Sequence, residues 1–266
     1  MSKIESIRAT FEAATADTLR ALGEALTQFS AQVTEEVKAS QARPIAAKAE
    51  DASISLDEAL FDSAPVATVP RHAEFAPLLD VGHRFLLAAE GLFIEIRRPW
   101  LHLIQPLAQV DGAYSRPPYG SLDAKIEFAF GRISAAEQHL RRFAADAAQV
   151  APNEHAAWII WNETRRELVY REVEVTNSTP TKITINRPAL ADDESLVFDL
   201  HSHGTGPAGF SQTDDADDAG EVKIAGVIGG VGTAAPSVAF RLCALGKTIT
   251  LRVPVQAFFP STENAA

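Results

Sequence analysis

An α+β architecture follows from the order of hydrophobic patterns along the chain. A proline-free stretch at residues 3–41 repeats its apolar positions every three or four residues. Short strand-like runs broken by proline and glycine then fill residues 67–130. A second helical pattern ends at about residue 150, and the strands after it bracket a histidine-bearing loop.

In the first stretch, Ile4, Ile7, Phe11, Leu22, Leu26, Phe29, Val33 and Val37 recur at helical spacing. Ser2-Lys3-Ile4-Glu5 fits a capping box, in which hydroxyl and carboxylate each take a free backbone N–H. Such a helix is roughly 55 Å long and carries one narrow apolar stripe. Its polar face is mixed in sign with an acidic bias, unlike the Lys/Arg-rich face of a membrane-surface helix. The stripe suits self-association, docking on a partner, or packing on the chain's own body. Residues 42–66 lose the periodicity and read as a linker with one short helical turn.

From residue 67 the runs VATVP, HRFLLAAEGLFIEI, WLHLIQPL and AKIEFAF predict a small β-rich domain ending near residue 130. In the helix that follows, Ser134-Ala135-Ala136-Glu137 is again a capping-box pattern. Leu140, Phe143, Ala144, Ala147 and Val150 supply its buried face, and Pro152 ends it. AAWIIW, ELVYREVEVT, TKITI, SLVFDLHSH, EVKIAGVIGG, SVAFRLCAL and TITLRVPV then read as strands of a domain spanning 131–260. Trp100, Trp158 and Trp161 are expected in the core.

Composition narrows the function. With 266 residues, 46% of them hydrophobic, the chain can bury a proper core. Its net charge of −11 and lack of any basic run longer than pairs such as Arg97-Arg98 argue against nucleic-acid binding. The single cysteine, Cys243, excludes an internal disulfide and a cysteine-rich zinc site. No secretory signal pattern opens the sequence, and no apolar run approaches the roughly 20 residues of a membrane span. A cytoplasmic location without membrane contact is the expectation.

Chemistry concentrates at Asp199-Leu200-His201-Ser202-His203 and the glycine-rich loop that leads to Ser211-Gln212-Thr213-Asp214. Residues two apart on a strand share a face, so His201 and His203 present two imidazoles side by side. Catalytic zinc takes three protein ligands and leaves a position for water, and Asp214 can fold back as the third. Ser211 suits the N-cap of a short helix with Asp214 at its third position. The plain alternative is two solvent-facing histidines beside an ordinary helix cap.

His201-x-His203, seven residues, Ser211, two residues, Asp214 is similar to the JAMM signature of the JAB/MPN metalloproteases, and Glu154 before AAWIIW stands where that family keeps its catalytic glutamate. More narrowly, GLFIEIRRPWLHLIQPLA and DLHSHGTGPAGFSQTDDADDAGEVKIAGV resemble the PRTRC system protein A family of a plasmid-borne cassette. The resemblance implies a cytidine-deaminase-like α/β sandwich behind the β-rich region and long helix. It also implies zinc on His201, His203 and Asp214, with Glu154 as general base and Ser211 as oxyanion donor. Its implied substrate is a ubiquitin-like protein or conjugate. Gly204 and the early Gly220 depart from the family pattern, which bears on cleft shape and on the length of the helix after Ser211. Asp199 stands open between orienting His201 and being a solvated strand residue.

Other motifs are weaker. A calcium loop counted from Asp215 fails, with Ala219 fifth and Gly226 twelfth. Gly226-x-x-Gly229-Gly230 lacks the Lys-Ser/Thr of a phosphate loop. His72, His83, His102, His139 and His155 are isolated and read as surface or satisfied core residues. Asp199-x-His201-x-His203 also resembles the first metal motif of amidohydrolases, but no histidine follows His203 to complete such a site. A rival from another class is a non-catalytic MPN-like scaffold in a plasmid-maintenance complex.

Overall fold

The computed structural model describes residues 3–42, 52–110 and 116–259. The chain divides into two compact units between Ser63 and Ala64. The first contains α1 (Lys3–Ala42) and α2 (Ala52–Ser63). α1 coincides with the proline-free stretch, and its stripe is open to solvent, with Ile4 77%, Phe11 71% and Phe29 65% exposed. α2 is twelve residues long where a linker with one turn was expected. The proposed Ser2 cap and residues 43–51 of the linker lie outside the described residues.

The second unit opens with a five-stranded sheet. It comprises β1 (Val66–Thr68), β2 (Gly82–Ala88), β3 (Gly91–Arg98), β4 (Leu101–Gln109) and β5 (Lys125–Phe128), in sequence order. β1 runs parallel to β2 and the rest pair antiparallel. Alternation along the strands splits their side chains between two layers. Ile94, Ile96, Leu101 and Leu103 join the main core, while Leu86, Ala88, Phe93 and Ile104 form a smaller cluster. On the smaller cluster's side, Arg84 Nε and His102 Nε2 lie 2.7 and 2.9 Å from the buried Glu95 carboxylate.

A 3-10 turn (Ile133–Ala136) leads into α3 (Glu137–Val150). The capping box expected at Ser134 does not form: Ser134 sits inside the turn, and the N-cap is Ala136 with no side-chain bond. Glu137 pairs with Arg141 one turn on instead of reaching back. α3 buries Leu140, Phe143, Ala144 and Ala147, the face its spacing predicted.

The remaining strands are β6 (Ala156–Asn162), β7 (Glu167–Glu172), β8 (Glu174–Thr179), β9 (Lys182–Asn186), β10 (Glu194–Ser202), β11 (Val222–Gly229), β12 (Ser237–Ala244) and β13 (Lys247–Leu251). Six of them form a sheet in the order β13-β12-β11-β10-β6-β7, with β10 and β11 parallel. ELVYREVEVT, read as one strand, is two: β7 stays in this sheet, while β8 leaves it to form a separate hairpin with β9. The mixture of helices and sheets agrees with the α+β expectation.

The two faces of the six-stranded sheet differ in chemistry. Ala157, Ile159, Trp161, Phe198, Leu200, Ile224, Ile228, Phe240 and Leu242 pack with α3 and the first sheet in the main core. Gly226 belongs to this face, where an added Cβ would stand 2.3 Å from the Phe240 ring and 2.7 Å from Leu200. Close packing, not phosphate binding, therefore accounts for that glycine. The opposite face bears Trp158, Asp199, His201, Lys223 and Arg241, and there lies α4 (Gln212–Asp218). Trp100, Trp158 and Trp161 are all buried, as expected.

Candidate metal centre

β10 carries His201 near its C-terminal end, where neighbouring strands place Ala156 and Val227 beside it. His203 follows one residue past the strand. Its backbone N–H still donates to the Ile228 carbonyl at 2.8 Å, so the strand geometry persists to this point. The two Nε2 atoms are 3.3 Å apart, and His201 Nε2 lies 3.6 Å from Asp214 Oδ1. Two atoms each bound at 2.0–2.1 Å to a tetrahedral ion stand about 3.3–3.4 Å apart. Among the described residues, the ligand atoms of His201, His203 and Asp214 all lie within 4.8 Å of one another. This donor set therefore fits zinc.

Each ligand is aimed by a neighbour. His203 Nδ1–H donates to the Pro207 carbonyl at 2.9 Å, leaving the Nε2 lone pair for the centre. Burial holds the His201 imidazole below its ordinary pKa, against the opposing charge of Asp214, and so favours the neutral, lone-pair-bearing form. Asp214 is the third residue of α4 and its carboxylate is split in function. Oδ2 accepts from the Ser211 backbone N–H at 2.6 Å and from the Ser211 hydroxyl at 2.7 Å. The Asp214 N–H returns to the Ser211 hydroxyl at 3.2 Å, which completes a capping box. Oδ1 is left facing His201.

The loop between the histidines and α4 is clamped to the end of β11. Gly230 N–H donates to Gly206 and Val231 N–H to Gly204, at 2.7 and 2.9 Å. Gly204 has φ +50°, and a Cβ there would lie 2.1 Å from the Pro152 carbonyl. Proline, fixed near φ −65°, could not adopt that conformation. α4 has only seven residues, in keeping with the early Gly220.

Glu154 sits between α3 and β6, is 7% exposed, and lines the same cleft as the three ligands. Burial raises its carboxyl pKa; the negative Asp214 adds to the rise and His203 opposes it. Its backbone is fixed on both sides by the β8–β9 hairpin. Glu154 N–H donates to the Thr179 carbonyl at 3.0 Å, and the Ser178 hydroxyl donates to the Glu154 carbonyl at 2.6 Å. The cleft holds about 890 Å³, with Ile183, Thr184 and Ile185 of β9 on one wall and Phe210, Thr213 and Asp217 on another.

Asp199 takes neither role left open for it. Its two oxygens accept from Trp158 Nε1 at 3.0 Å and Lys223 Nζ at 2.8 Å. The sequence reading missed Lys223, Arg241 and the hairpin wall. A lone lysine in VKIAGVIG and a lone arginine in SVAFRLCA were available signals, because a cation inside an apolar strand needs a buried partner. Three of the isolated histidines have other partners: His102 binds Glu95, His139 meets the Leu168 carbonyl, and His155 stacks on Phe143.

Residues 136–243, which contain every residue of this cleft, match the family model of prokaryotic homologs of the JAB domain. Residues 55–129, covering the five-stranded sheet, match a domain of unknown function, DUF2016. No curated protein matches the chain.

Proposed function

We propose that the segment 136–243 is the catalytic unit of a zinc-dependent hydrolase that cleaves peptide or isopeptide bonds. The observation that carries this reading is the convergence of His201, His203 and Asp214 beside Glu154 in one cleft. The match to prokaryotic JAB homologs supports it. Zinc at such a site supplies Lewis acidity and makes hydroxide available near neutral pH.

The chain's own residues have distinct tasks. His201, His203 and Asp214 hold the ion. Glu154, kept basic by burial, takes the proton of the attacking water and delivers it to the leaving amine. The Ser211 hydroxyl, bonded to Asp214 in this structure, serves as oxyanion donor only after rotating toward the scissile carbonyl. The β9 wall and Phe210 offer apolar and backbone contacts for an extended chain.

A ubiquitin-like protein or conjugate, encoded with this chain in a PRTRC-type cassette, is the substrate this reading favours, and it rests on the sequence resemblance alone. The test is metal analysis of the purified protein, followed by incubation with the cassette's small proteins and mass spectrometry of their C-termini. One zinc per chain and a trimmed tail are expected. A folded protein without stoichiometric zinc would leave the non-catalytic scaffold as the better reading.

A further inference from the structure

α4 carries Asp214, yet it has almost nothing apolar with which to dock. Its sequence, Gln212-Thr213-Asp214-Asp215-Ala216-Asp217-Asp218, offers one alanine methyl and no larger hydrophobic group. Charge lies beneath it instead. Arg241 of β12, 9% exposed, bonds Asp218 Oδ2 through Nε and Nη2 at 3.0 and 2.6 Å, and Asp215 Oδ1 through Nη1. Lys223 of β11, 2% exposed, places Nζ 2.9 Å from Asp218, 2.8 Å from Asp199 and 2.6 Å from Glu221. The Phe210 ring lies 3.9 Å from the Arg241 guanidinium carbon and covers it from the loop side.

We propose that Lys223 and Arg241 are positioning residues of the metal site, clamping α4 to the sheet and so holding the Asp214 carboxylate against His201 and His203. The functional half of this inference rests on the zinc reading; the docking half does not.

Burying charge is costly, and aliphatic residues of similar volume in these strands would often give equal or better stability. What they would not give is direction. Apolar burial is non-directional, whereas a planar guanidinium fork fixes two carboxylates one helical turn apart in a single geometry. A metal ligand requires that geometry, because coordination distances hold within about 0.2 Å. Burial alone would depress the Lys223 ammonium; the charge of Asp199, with the bonds to Asp199, Glu221 and Asp218, outweighs it and pushes the pKa up. The ammonium therefore keeps its charge near neutral pH.

The experiment uses full-length wild type, Arg241→Met, Lys223→Met and Arg241→Lys. Glu95→Gln serves as control, since it breaks a comparably buried ion pair in the other sheet. Three quantities are read: zinc affinity by chelator competition, the visible spectrum of the cobalt-substituted protein, and amide exchange over residues 212–219 without metal. The two methionine variants should bind zinc about 10- to 100-fold more weakly, the range for lost supporting contacts. Their cobalt spectra should change and their α4 amides exchange faster. Arg241→Lys, which keeps the charge but loses the fork, should fall between them and wild type. Glu95→Gln should lose thermal stability with zinc affinity, spectrum and α4 exchange unchanged. Folded clamp variants with wild-type affinity and spectrum would overturn the proposal. If the methionine variants do not fold, Arg241→Lys decides by the same criteria. Should wild type itself bind no zinc, the metal reading fails, and the exchange data judge the clamp alone: unchanged α4 protection overturns it.

Discussion

At the residue scale, Glu154 shows how function and stability oppose each other. Its folded-state pKa is raised by burial and by Asp214, with His203 alone opposing. A raised carboxyl contributes stability that is fully present below the unfolded pKa and lost as pH rises through the folded value. At pH 7 the zinc-free protein therefore bears a cost at this buried carboxyl that it does not bear in acid. Glu154→Gln should raise the melting temperature of the zinc-free protein at pH 7, with the gain vanishing toward about pH 4, near the ordinary carboxyl value. The same change should lower turnover about 10²- to 10⁴-fold while zinc content stays at wild-type level. Thermal melts across pH, paired with metal analysis, check both halves, and an equally active Gln variant would remove Glu154 from the mechanism. Gly204 is a purely conformational case. Gly204→Ala should cost about 1–3 kcal/mol for the left-handed backbone alone, and the clash with the Pro152 carbonyl adds to it. Denaturant melts of the purified variant measure that loss.

At the element scale, legibility followed locality. α1, α3 and most strands were readable because their periodicity lies in contiguous residues. The histidine pair and the Ser211–Asp214 cap were readable for the same reason, each being a motif of a few adjacent positions. What escaped was set by tertiary contacts. ELVYREVEVT has one continuous pattern, and the departure of β8 into its own hairpin shows only through its pairing with β9. The Ser134 capping box has the right letters, but a 3-10 turn occupies them. Arg241 reaches Asp218 and Asp215 across 23 and 26 residues, and Lys223 reaches Asp199 across 24, so no spacing rule reveals the clamp. The hairpin yields its own prediction. Ile183 and Ile185 face the cleft but take no part in the donor set. Changing both to alanine should raise KM by roughly tenfold, equivalent to about 1.4 kcal/mol of apolar contact, with kcat and zinc content unchanged. A fall in kcat at constant KM would show that the wall shapes the reacting centre and not substrate binding.

At the scale of the whole molecule, the described residues of the two units differ in what they bury. Every buried residue of both apolar clusters lies after Ser63. α1 is about 60 Å long for its 40 residues. Ile4, Ile7, Phe11, Leu19, Leu22, Leu26, Phe29 and Val33 lie along it with exposures between 42% and 77%. Full burial of one such side chain is worth about 1.5–3 kcal/mol, so covering a stripe of eight, by a second copy, another protein or the chain's own body, would be strongly favourable. A monomeric soluble protein rarely leaves a continuous apolar band of this length uncovered. Among the described residues, the hydrophobics packed against both clusters also belong to the second unit. Removal of residues 1–63 should therefore leave a folded protein with the zinc stoichiometry, zinc affinity and small-substrate activity of the full chain. Its solution mass, by light scattering at matched concentration, should drop to that of one chain while the full-length protein is larger, or else a partner retained by the full chain should be lost. A truncated protein that cannot fold would place α1 in the core energetics of the body. A truncated protein with unchanged assembly and partners would leave the stripe without a role in association.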